Sequence, residues 1–278
     1  MSNVTLIIGE TGTGKSTSLR NLNAQETFII NVLDKPLPFR GYSKSYQLCT
    51  PDFKEGNYFA SDNHTQILRA IDAANQRKDI KNIIIDDWQY TMCNEYLRRA
   101  NETGYQKFTE IAQHAQEIIR RLICGRSDMY CFVLSHNDRT DDGKYKCKSI
   151  GKLLDEKISV EGMFTVVLHS MLNDGRYVFL TKNNGIHVAK SPFGMFDQEY
   201  IDNDLKEIKL KMEAYFSYDV PDFASNDKIM ELSELAKNRN IAEEVAAKHY
   251  SKNRTLKFNE MYNDEVQNCI NYIKSKAA

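Results

Sequence analysis

The chain has 278 residues, of which 41% are hydrophobic and 27% are charged, a balance typical of a globular protein with a sizeable core. Its 37 basic and 38 acidic side chains nearly cancel, so contact with a nucleic acid or a membrane would have to come from a local patch. The six cysteines have no zinc-type spacing, no apolar run is long enough to span a bilayer, and the N-terminus lacks a signal-peptide pattern. We therefore expect reduced thiols, a cytoplasmic location and no membrane partner.

The first predicted element is a short strand, VTLIIG, which leads into a match to the pattern G-x-x-x-x-G-K-[ST] from Gly9 to Ser16. Glycines let the backbone wrap a phosphate with its amide groups pointing inward, and a helix predicted to start near Lys15 adds its positive end. Lys15 would supply charge to the β- and γ-phosphates, and the Ser16 hydroxyl would ligate Mg²⁺. The sequence thus predicts a nucleotide-binding cradle formed by Gly9, Glu10, Thr11, Gly12, Thr13, Gly14, Lys15, Ser16 and Thr17.

Further along the chain, short runs rich in Val, Ile, Phe and Tyr alternate with longer amphipathic stretches. The runs predict the strands TFIINVL, NIIIDD, YCFVLSH, FTVVLHS and YVFLTK, whereas HTQILRAIDAANQR and YQKFTEIAQHAQEIIRRLICG have apolar residues at helical spacing. This alternation predicts an α/β fold with a mostly parallel sheet and helices on both faces. Asn173-Asp174-Gly175, between the last two runs, predicts a hairpin and therefore a late antiparallel edge.

The pattern changes near residue 217, where SYDVPDFASND has a proline and turn-forming residues without periodicity. Three helical stretches follow, DKIMELSELAKNR, IAEEVAAKHYSK and NDEVQNCINYIKSK. We therefore predict a core domain over residues 1–216, then a linker and a small helical appendage over residues 217–278. The appendage is nearly balanced in charge, which favours a role in docking or oligomerisation over DNA binding.

Two adjacent carboxylates end the predicted strand NIIID. Asp86 lies where a Walker-B acid holds Mg²⁺ through water. Asp87 lies where many ATPases place the carboxylate that polarises the attacking water. The alternative is that Asp87 caps a helix predicted for WQYTMCNEYLRR.

The strand YCFVLSHND ends in Ser135, His136 and Asn137, at the carboxyl edge where open α/β sheets bind their ligands. His136 or Asn137 could sense a γ-phosphate, although a lone histidine at a strand end is more often structural. We interpret His169, inside TVVLHSM, as a core or surface residue.

A lysine-rich stretch, RTDDGKYKCKSIGK, follows this strand. Asp141-Asp142-Gly143 predicts a turn, and Lys144, Lys146 and Lys148 alternate along the chain so that they share one face of an extended strand. This face suits the phosphates of single-stranded DNA, and Tyr145 could stack on a base if the local strand twists or bends. The alternative is an exposed hairpin whose lysines protect the sheet edge.

The sequence also separates classes of nucleotide-dependent protein. It has no N-K-x-D motif for guanine, and TKNN at residues 181–184 lacks the necessary aspartate. It has no arginine-rich stretch suited to the lid of a small-molecule kinase. ATP hydrolysis coupled to motion or assembly is therefore favoured over phosphoryl transfer to a metabolite.

Several blocks together resemble the phage-encoded RecA-like P-loop ATPases, a group related to the Sak-type single-strand annealing ATPases. These blocks are GETGTGKST, IIIDDWQY, GYQKF, GKLLDEKISVEGMFTVVL, TKNNGIHVAKSPFGMF and IDNDL, and the resemblance covers most of residues 1–216. It implies a RecA-like core that uses ATP and Mg²⁺ in phage DNA replication or recombination, in the host cytoplasm. Residue by residue, it assigns the cradle to Gly9, Gly14, Lys15 and Ser16 and the Walker-B acid to Asp86.

Two expectations depend on this resemblance. RecA-like cores usually place a catalytic glutamate after the second strand, but FIINVLDK has none, so either Asp34 or Asp87 replaces it or hydrolysis is slow. RecA-like proteins assemble into rings or filaments in which a lysine after the late hairpin reaches the γ-phosphate of the next subunit. Lys190 is the first candidate for that lysine and Lys182 the second, and the alternative is a solvated side chain.

The function expected from the sequence is an ATP-hydrolysing, RecA-like protein that acts on single-stranded DNA by strand annealing or by assembly on DNA. One alternative is a nucleotide-dependent loader or adaptor for a single-strand-binding or other replication protein, with weak DNA contact. Another is a switch that binds ATP without turnover. The expected partners are DNA and further copies of the same chain.

Overall fold

The computed structural model describes residues 1–150, 159–216, 224–251 and 255–275. The chain divides into two compact units, Met1–Glu213 and Ala214–Ala278. Three predicted features lie partly outside the described residues: the block GKLLDEKISV, the stretch SYDVPDFASND and the ends of the second and third C-terminal helical stretches. The sequence predicts a domain boundary after residue 216, and the structure divides the chain nearby, after Glu213.

The first unit is built on one mixed sheet. In the described residues its strands are β1 Asn3–Gly9, β2 Thr27–Asn31, β3 Tyr58–Ala60, β4 Asn82–Asp86, β5 Tyr130–Arg139, β6 Tyr145–Cys147, β7 Val166–Asn173, β8 Arg176–Leu180 and β9 Tyr200–Asp202. Their order is β3-β2-β4-β5-β1-β7-β8-β9, with β6 paired to the outer part of β5. Strands β1 to β5 and β7 pair in parallel, whereas β8, β9 and β6 pair antiparallel to their neighbours.

The predicted α/β class, the mostly parallel sheet and the late antiparallel edge are confirmed. The hairpin between β7 and β8 pairs Asn173 with Arg176. Its two loop residues, Asp174 and Gly175, have φ angles of 49° and 76°. Positive φ at both positions is what a two-residue type I′ turn requires, and Asp-Gly is a preferred pair for it.

The α-helices of the described chain are α1 Tyr42–Ser45, α2 His64–Gln76, α3 Gln89–Arg98, α4 Gln106–Ile123, α5 Leu205–Phe216, α6 Asn226–Asn238, α7 Glu243–Tyr250 and α8 Asn263–Ser275. The helix predicted after the cradle is different from expectation, because Ser16–Asn21 is a 3₁₀ helix of six residues. Its sequence STSLRN is rich in side chains that compete for backbone hydrogen bonds, and the Ser18 hydroxyl donates to the Lys15 carbonyl. The dipole expected at the cradle is correspondingly small.

Both faces of the central sheet are buried, which explains why its strands read as continuous apolar runs. Alternate strand residues pack on one face with helices α2, α3 and α4, in a core that contains Leu6, Ile8, Phe28, Ile30, Ile83, Ile85, Ile67 and Ile118. The intervening residues Ile7, Ile29 and Ile84 are also buried, on the second face. There the Thr5 hydroxyl donates to Met212 of α5, so α5 covers that face beside β1.

The second unit is helical and has a core of its own, formed by residues of α6, α7 and α8 with Phe258 and Met261 between them. Helix α6 begins after Ser225, whose side chain accepts a hydrogen bond from the Lys228 amide, as an N-cap serine should. Among the described residues, no helix has the length and apolarity of a membrane span.

Candidate functional site

The carboxyl ends of three neighbouring strands meet at one edge of the sheet. Gly9, the last residue of β1, lies opposite His136 of β5 and Ser170 of β7. Strand β4 ends at Asp86, on the other side of β5. The glycine-rich loop, the acid pair and the polar end of β5 are therefore neighbours, as open parallel sheets require of strand ends.

Close packing behind the loop explains two of its glycines. A Cβ on Gly9 would lie 2.4 Å from the Ser170 carbonyl oxygen, which leaves no space for a side chain. Gly14 has a φ angle of 91°, and its Cβ would meet Tyr177 at 3.1 Å and Asn203 at 3.2 Å. A larger residue at either position would displace the loop from the strands that support it.

The IDNDL block supports this loop from behind. Asn203 Nδ2 donates to Ser170 Oγ over 3.2 Å, and Ser170 Oγ donates to the Thr13 carbonyl over 2.8 Å. Arg20 Nη1 donates to the Asn203 carbonyl over 2.6 Å, and Asn21 Nδ2 donates to Asp204. The block is thus a brace for the cradle, a role that its sequence alone did not indicate.

Lys15 lies inside the loop and is only 6% exposed. Its Nζ donates to the carbonyl oxygens of Gly9 and Glu10, both over 2.8 Å. Burial lowers the pKa of Lys15 to about 8, against the opposing charges of Asp87 and Asp86. Both of its partners are neutral carbonyls, so the buried ammonium group would donate stronger hydrogen bonds to a negatively charged phosphate.

Ser16 and Asp86 form the pair of oxygens that the sequence predicts for Mg²⁺. Ser16 Oγ donates to Asp86 Oδ1 over 2.8 Å, and Asp86 is 1% exposed. Burial, and next the charge of Asp87, raise the pKa of Asp86 to about 6. Within the described part of the chain no group of three or more His, Cys, Asp or Glu could hold a metal. Mg²⁺ is usually held by one or two carboxylates together with substrate phosphates, and this pair fits that pattern.

Asp87 is 2% exposed and has a φ angle of 65°, in the left-handed region that aspartate tolerates better than most residues. Its Oδ1 lies 3.4 Å from His136 Nε2, and its Oδ2 forms an ion pair with Lys35. Burial raises the pKa of Asp87, but the hydrogen bonds from His136 and Lys35 outweigh it and hold that pKa below the usual range. Asp87 is therefore a buried, ionised carboxylate between two basic groups.

The alternative that Asp87 caps helix α3 is wrong. The residue before the first turn of α3 is Trp88, and its side chain makes no capping bond. The Asp87 carboxylate contacts Lys35 and His136 instead.

His136 connects the loop to the acid pair. Its Nδ1 lies 3.5 Å from Thr11 Oγ1, and its Nε2 faces Asp87. The His136 backbone amide and the Ser135 hydroxyl both donate to Gln89 Oε1 over 3.1 Å. Gln89 is 2% exposed and fixes the end of β5, whereas Asn137 pairs with Cys147 in β6 and is not part of the cradle.

Two residues of this site, Lys35 and Gln89, were not predicted from the sequence. Lys35 is the residue after Asp34, and Gln89 lies three residues after Asp86, so both were next to positions already singled out. Neither residue type is diagnostic by itself, and only their contacts distinguish them.

Asp34 does not take part in these contacts. It is exposed, its φ angle is 53°, and it accepts a hydrogen bond from the Tyr58 hydroxyl over 3.2 Å. Lys190 is also exposed, and its backbone pairs with Val167, three residues before Ser170 on β7. Within one chain the structure does not bring Lys190 to the cradle, and Lys182 is likewise exposed. A role for Lys190 toward a second subunit stays a prediction.

The lysine stretch forms the predicted extended strand, β6, which pairs with the outer part of β5. Its other edge is also paired, because the Tyr145 amide donates to the Ile186 carbonyl and the Val188 amide donates to the Tyr145 carbonyl. The alternative of lysines that guard an open sheet edge is therefore wrong. Lys144 forms an ion pair with Asp142 over 2.7 Å, and Lys148 is exposed.

The ring of Tyr145 already has a stacking partner in this conformation. It stacks on His187 with ring centroids 4.8 Å apart and planes parallel, and the Arg139 guanidinium lies 5.8 Å from its centroid. His187 in turn contacts His169, which is 2% exposed and is thus a core residue. Burial, and next the charge of His187, lower the pKa of His169 to about 3. Base stacking by Tyr145, which requires the local strand to twist or bend, stays a prediction.

The loop and Asp87 face a groove of about 520 Å³. Its walls include Thr11, Gly12, Gly14, Lys15, Ser16, Thr17, Leu33, Lys35, Pro38, Asp87, Tyr90, His136 and Tyr177. The groove lining therefore includes basic groups and loop backbone together with apolar and aromatic side chains, a mixture suited to a phosphorylated ligand with a planar base.

Neither a protein-family model nor a curated protein sequence matches this chain.

Proposed function

We propose that the protein binds ATP with Mg²⁺ and hydrolyses it. The observation that carries this proposal is the Ser16–Asp86 hydrogen bond of 2.8 Å at the mouth of a glycine-rich loop, since it joins the hydroxyl and the carboxylate that a P-loop site needs for the metal. Lys15 and the loop from Gly9 to Thr17 would hold the phosphates, and Ser16 and Asp86 would hold Mg²⁺. The metal would neutralise phosphate charge.

Asp87 is the proposed catalytic carboxylate. It is buried beside the cradle, it is held ionised by Lys35 and His136, and it can accept a proton from a water molecule or orient that water. Asp34 is the weaker candidate, because its carboxylate is exposed and bonded to Tyr58. His136 contacts both Thr11 and Asp87, which supports its role as a sensor of the bound phosphate.

We further propose a RecA-like core that acts on single-stranded DNA. The parallel strands around β1, the antiparallel late hairpin and the polar end of β5 support the RecA-like assignment. Strand β5 runs from His136 at the cradle to the hairpin that carries Lys144, Lys146 and Lys148. A change at the nucleotide can therefore be transmitted along one continuous strand to a basic segment that contacts DNA phosphates. Assembly into a ring or filament belongs to the same proposal.

The test is ATP binding and hydrolysis by the Lys15→Ala variant, with Lys54→Ala, an exposed lysine far from the groove in sequence, as the matched control. We expect loss of both properties in the first variant and parent-like behaviour in the second. Unchanged turnover in Lys15→Ala would contradict the proposed site. Turnover that single-stranded DNA does not stimulate would favour the loader or adaptor, and binding without turnover would favour the switch.

A further inference from the structure

Lys35 is a basic residue at the groove that no motif accounts for. It follows β2, and the buried Asn31 fixes its backbone by donating from Nδ2 to the Lys35 carbonyl over 2.7 Å. The preceding residue, Asp34, has a left-handed backbone with φ of 53°, which turns the chain at this point. The main chain of Lys35 is thus held at the groove, while its side chain remains 46% exposed.

The Lys35 ammonium group lies at the same opening as Lys15. It forms an ion pair with Asp87 Oδ2, and both lysines line one groove with Thr11 and Ser16. The groove therefore has two cations, one buried in the loop and one on the side of the proposed catalytic carboxylate.

The Lys35–Asp87 pair is easily exchanged. A lysine is a point charge on a flexible four-carbon stem, and the Lys35 side chain is 46% exposed, so its ammonium group can turn toward a ligand in the groove. A terminal phosphate carries more negative charge than one carboxylate and offers three acceptor oxygens. Asp87 keeps His136 as a second partner at its other oxygen, so it does not lose all compensation when Lys35 leaves.

We propose that Lys35 binds the terminal phosphate of a nucleoside triphosphate in exchange for Asp87, so that the site distinguishes a triphosphate from a diphosphate. The exchange also frees one Asp87 oxygen only when a triphosphate is present, which couples the catalytic carboxylate to the correct ligand. This inference rests on the proposed nucleotide binding. Lys35 belongs to the same chain as the cradle, so this discrimination between triphosphate and diphosphate does not require a second subunit.

The test is calorimetric binding of Mg·ATP and Mg·ADP to the parent, to Lys35→Met and to Lys35→Arg, with Lys54→Met as the control for loss of a surface lysine. We expect Lys35→Met to weaken ATP binding about tenfold and ADP binding less than twofold, because only ATP supplies the phosphate that Lys35 contacts. Lys35→Arg keeps the charge and should retain most of the preference. Thermal unfolding without nucleotide checks that the fold is intact.

A second variant tests the exchange itself. Asp87→Asn removes the carboxylate that competes for Lys35. We therefore expect this variant to bind ATP as tightly as the parent or up to about threefold more tightly. The double variant Asp87→Asn with Lys35→Met should show no such gain in ATP affinity.

An unchanged ATP-to-ADP preference in Lys35→Met, or equal weakening of both nucleotides, would overturn the assignment of Lys35 while leaving the proposed function intact. A parent protein that binds neither nucleotide would overturn both.

Discussion

Ser16 and Asp86 are separated by 70 residues in the chain and are joined by a hydrogen bond of 2.8 Å. They meet because β1 and β4 run in the same direction on either side of β5, so the loop after β1 and the last residue of β4 reach one edge of the sheet. The contact brings together the hydroxyl and the buried carboxylate that we propose hold Mg²⁺.

The two neighbouring aspartates should have separable roles. Asp86→Asn removes the carboxylate assigned to Mg²⁺, so we expect weaker Mg²⁺-dependent ATP binding. Asp87→Asn removes the carboxylate assigned to water, so we expect binding at least as tight as the parent's and a turnover rate lowered by about 10²-fold or more. Titration of Mg²⁺ with nucleotide and steady-state turnover measure the two effects. Small and equal effects of both substitutions would place the catalytic carboxylate elsewhere, with Asp34 the next candidate.

The buried Asp86 should make the nucleotide-free protein less stable as pH rises. Because its pKa is about 6 in the folded protein and 3.8 is usual, the folded state keeps this proton between about pH 4 and pH 6 while the unfolded state has lost it. The proton on Asp86 therefore contributes fully to the free energy of unfolding below about pH 4. This contribution, roughly 3 kcal/mol, is lost as the pH rises through about 6.

Asp86→Asn isolates this effect, because the asparagine oxygen can still accept from Ser16 and carries no charge at any pH. We expect the variant to gain stability relative to the parent as pH rises from 4 to 7, measured by urea unfolding at each pH. A stability difference that does not change with pH would contradict the raised pKa.

Gln89 should position the end of β5. Replacement by the similarly shaped methionine leaves the Ser135 hydroxyl and the His136 amide without their acceptor in a buried place, so we expect a loss of about 1–3 kcal/mol in the free energy of unfolding. If His136 senses the nucleotide, turnover should also fall while ADP binding changes little. Gln113→Met, on the exposed surface of α4, is the control. Stability equal to the parent's would mean that Gln89 does not hold this strand end.

The three hairpin lysines should contact DNA phosphates. Replacing Lys144, Lys146 and Lys148 with serine removes three charges, which should flatten the slope of log affinity against log salt for single strands by about 2, at about 0.7 per phosphate. Basal ATP hydrolysis should be nearly unchanged, and its stimulation by DNA should be lost. Titration of a labelled oligonucleotide at several salt concentrations with ATP present measures the slope. If affinity and slope match the parent's, the DNA proposal loses its contact segment and the adaptor becomes the favoured function.

The sequence was sufficient where one continuous stretch determines the structure. The two-residue hairpin at Asp174 and Gly175 follows from local turn chemistry, and the buried strands follow from apolar runs that only a sheet covered on both faces accommodates. The glycine-rich loop was equally predictable, because the spacing of Gly9, Gly14 and Lys15 is a local requirement. The short 3₁₀ helix after the loop was not, since its length depends on side chains that compete for backbone bonds.

Only the tertiary structure decided which groups surround Asp87 and what Tyr145 can do. Lys35, Asp87 and His136 come from the ends of three different strands, and their charges meet only after β2, β4 and β5 have paired. Tyr145 has an ordinary place in an alternating strand, yet His187 and Arg139, which occupy its ring, come from other segments. A local pattern fixes backbone geometry, whereas protonation, ion pairing and the availability of a ring depend on neighbours through space, and those neighbours are set by the packing of the whole sheet.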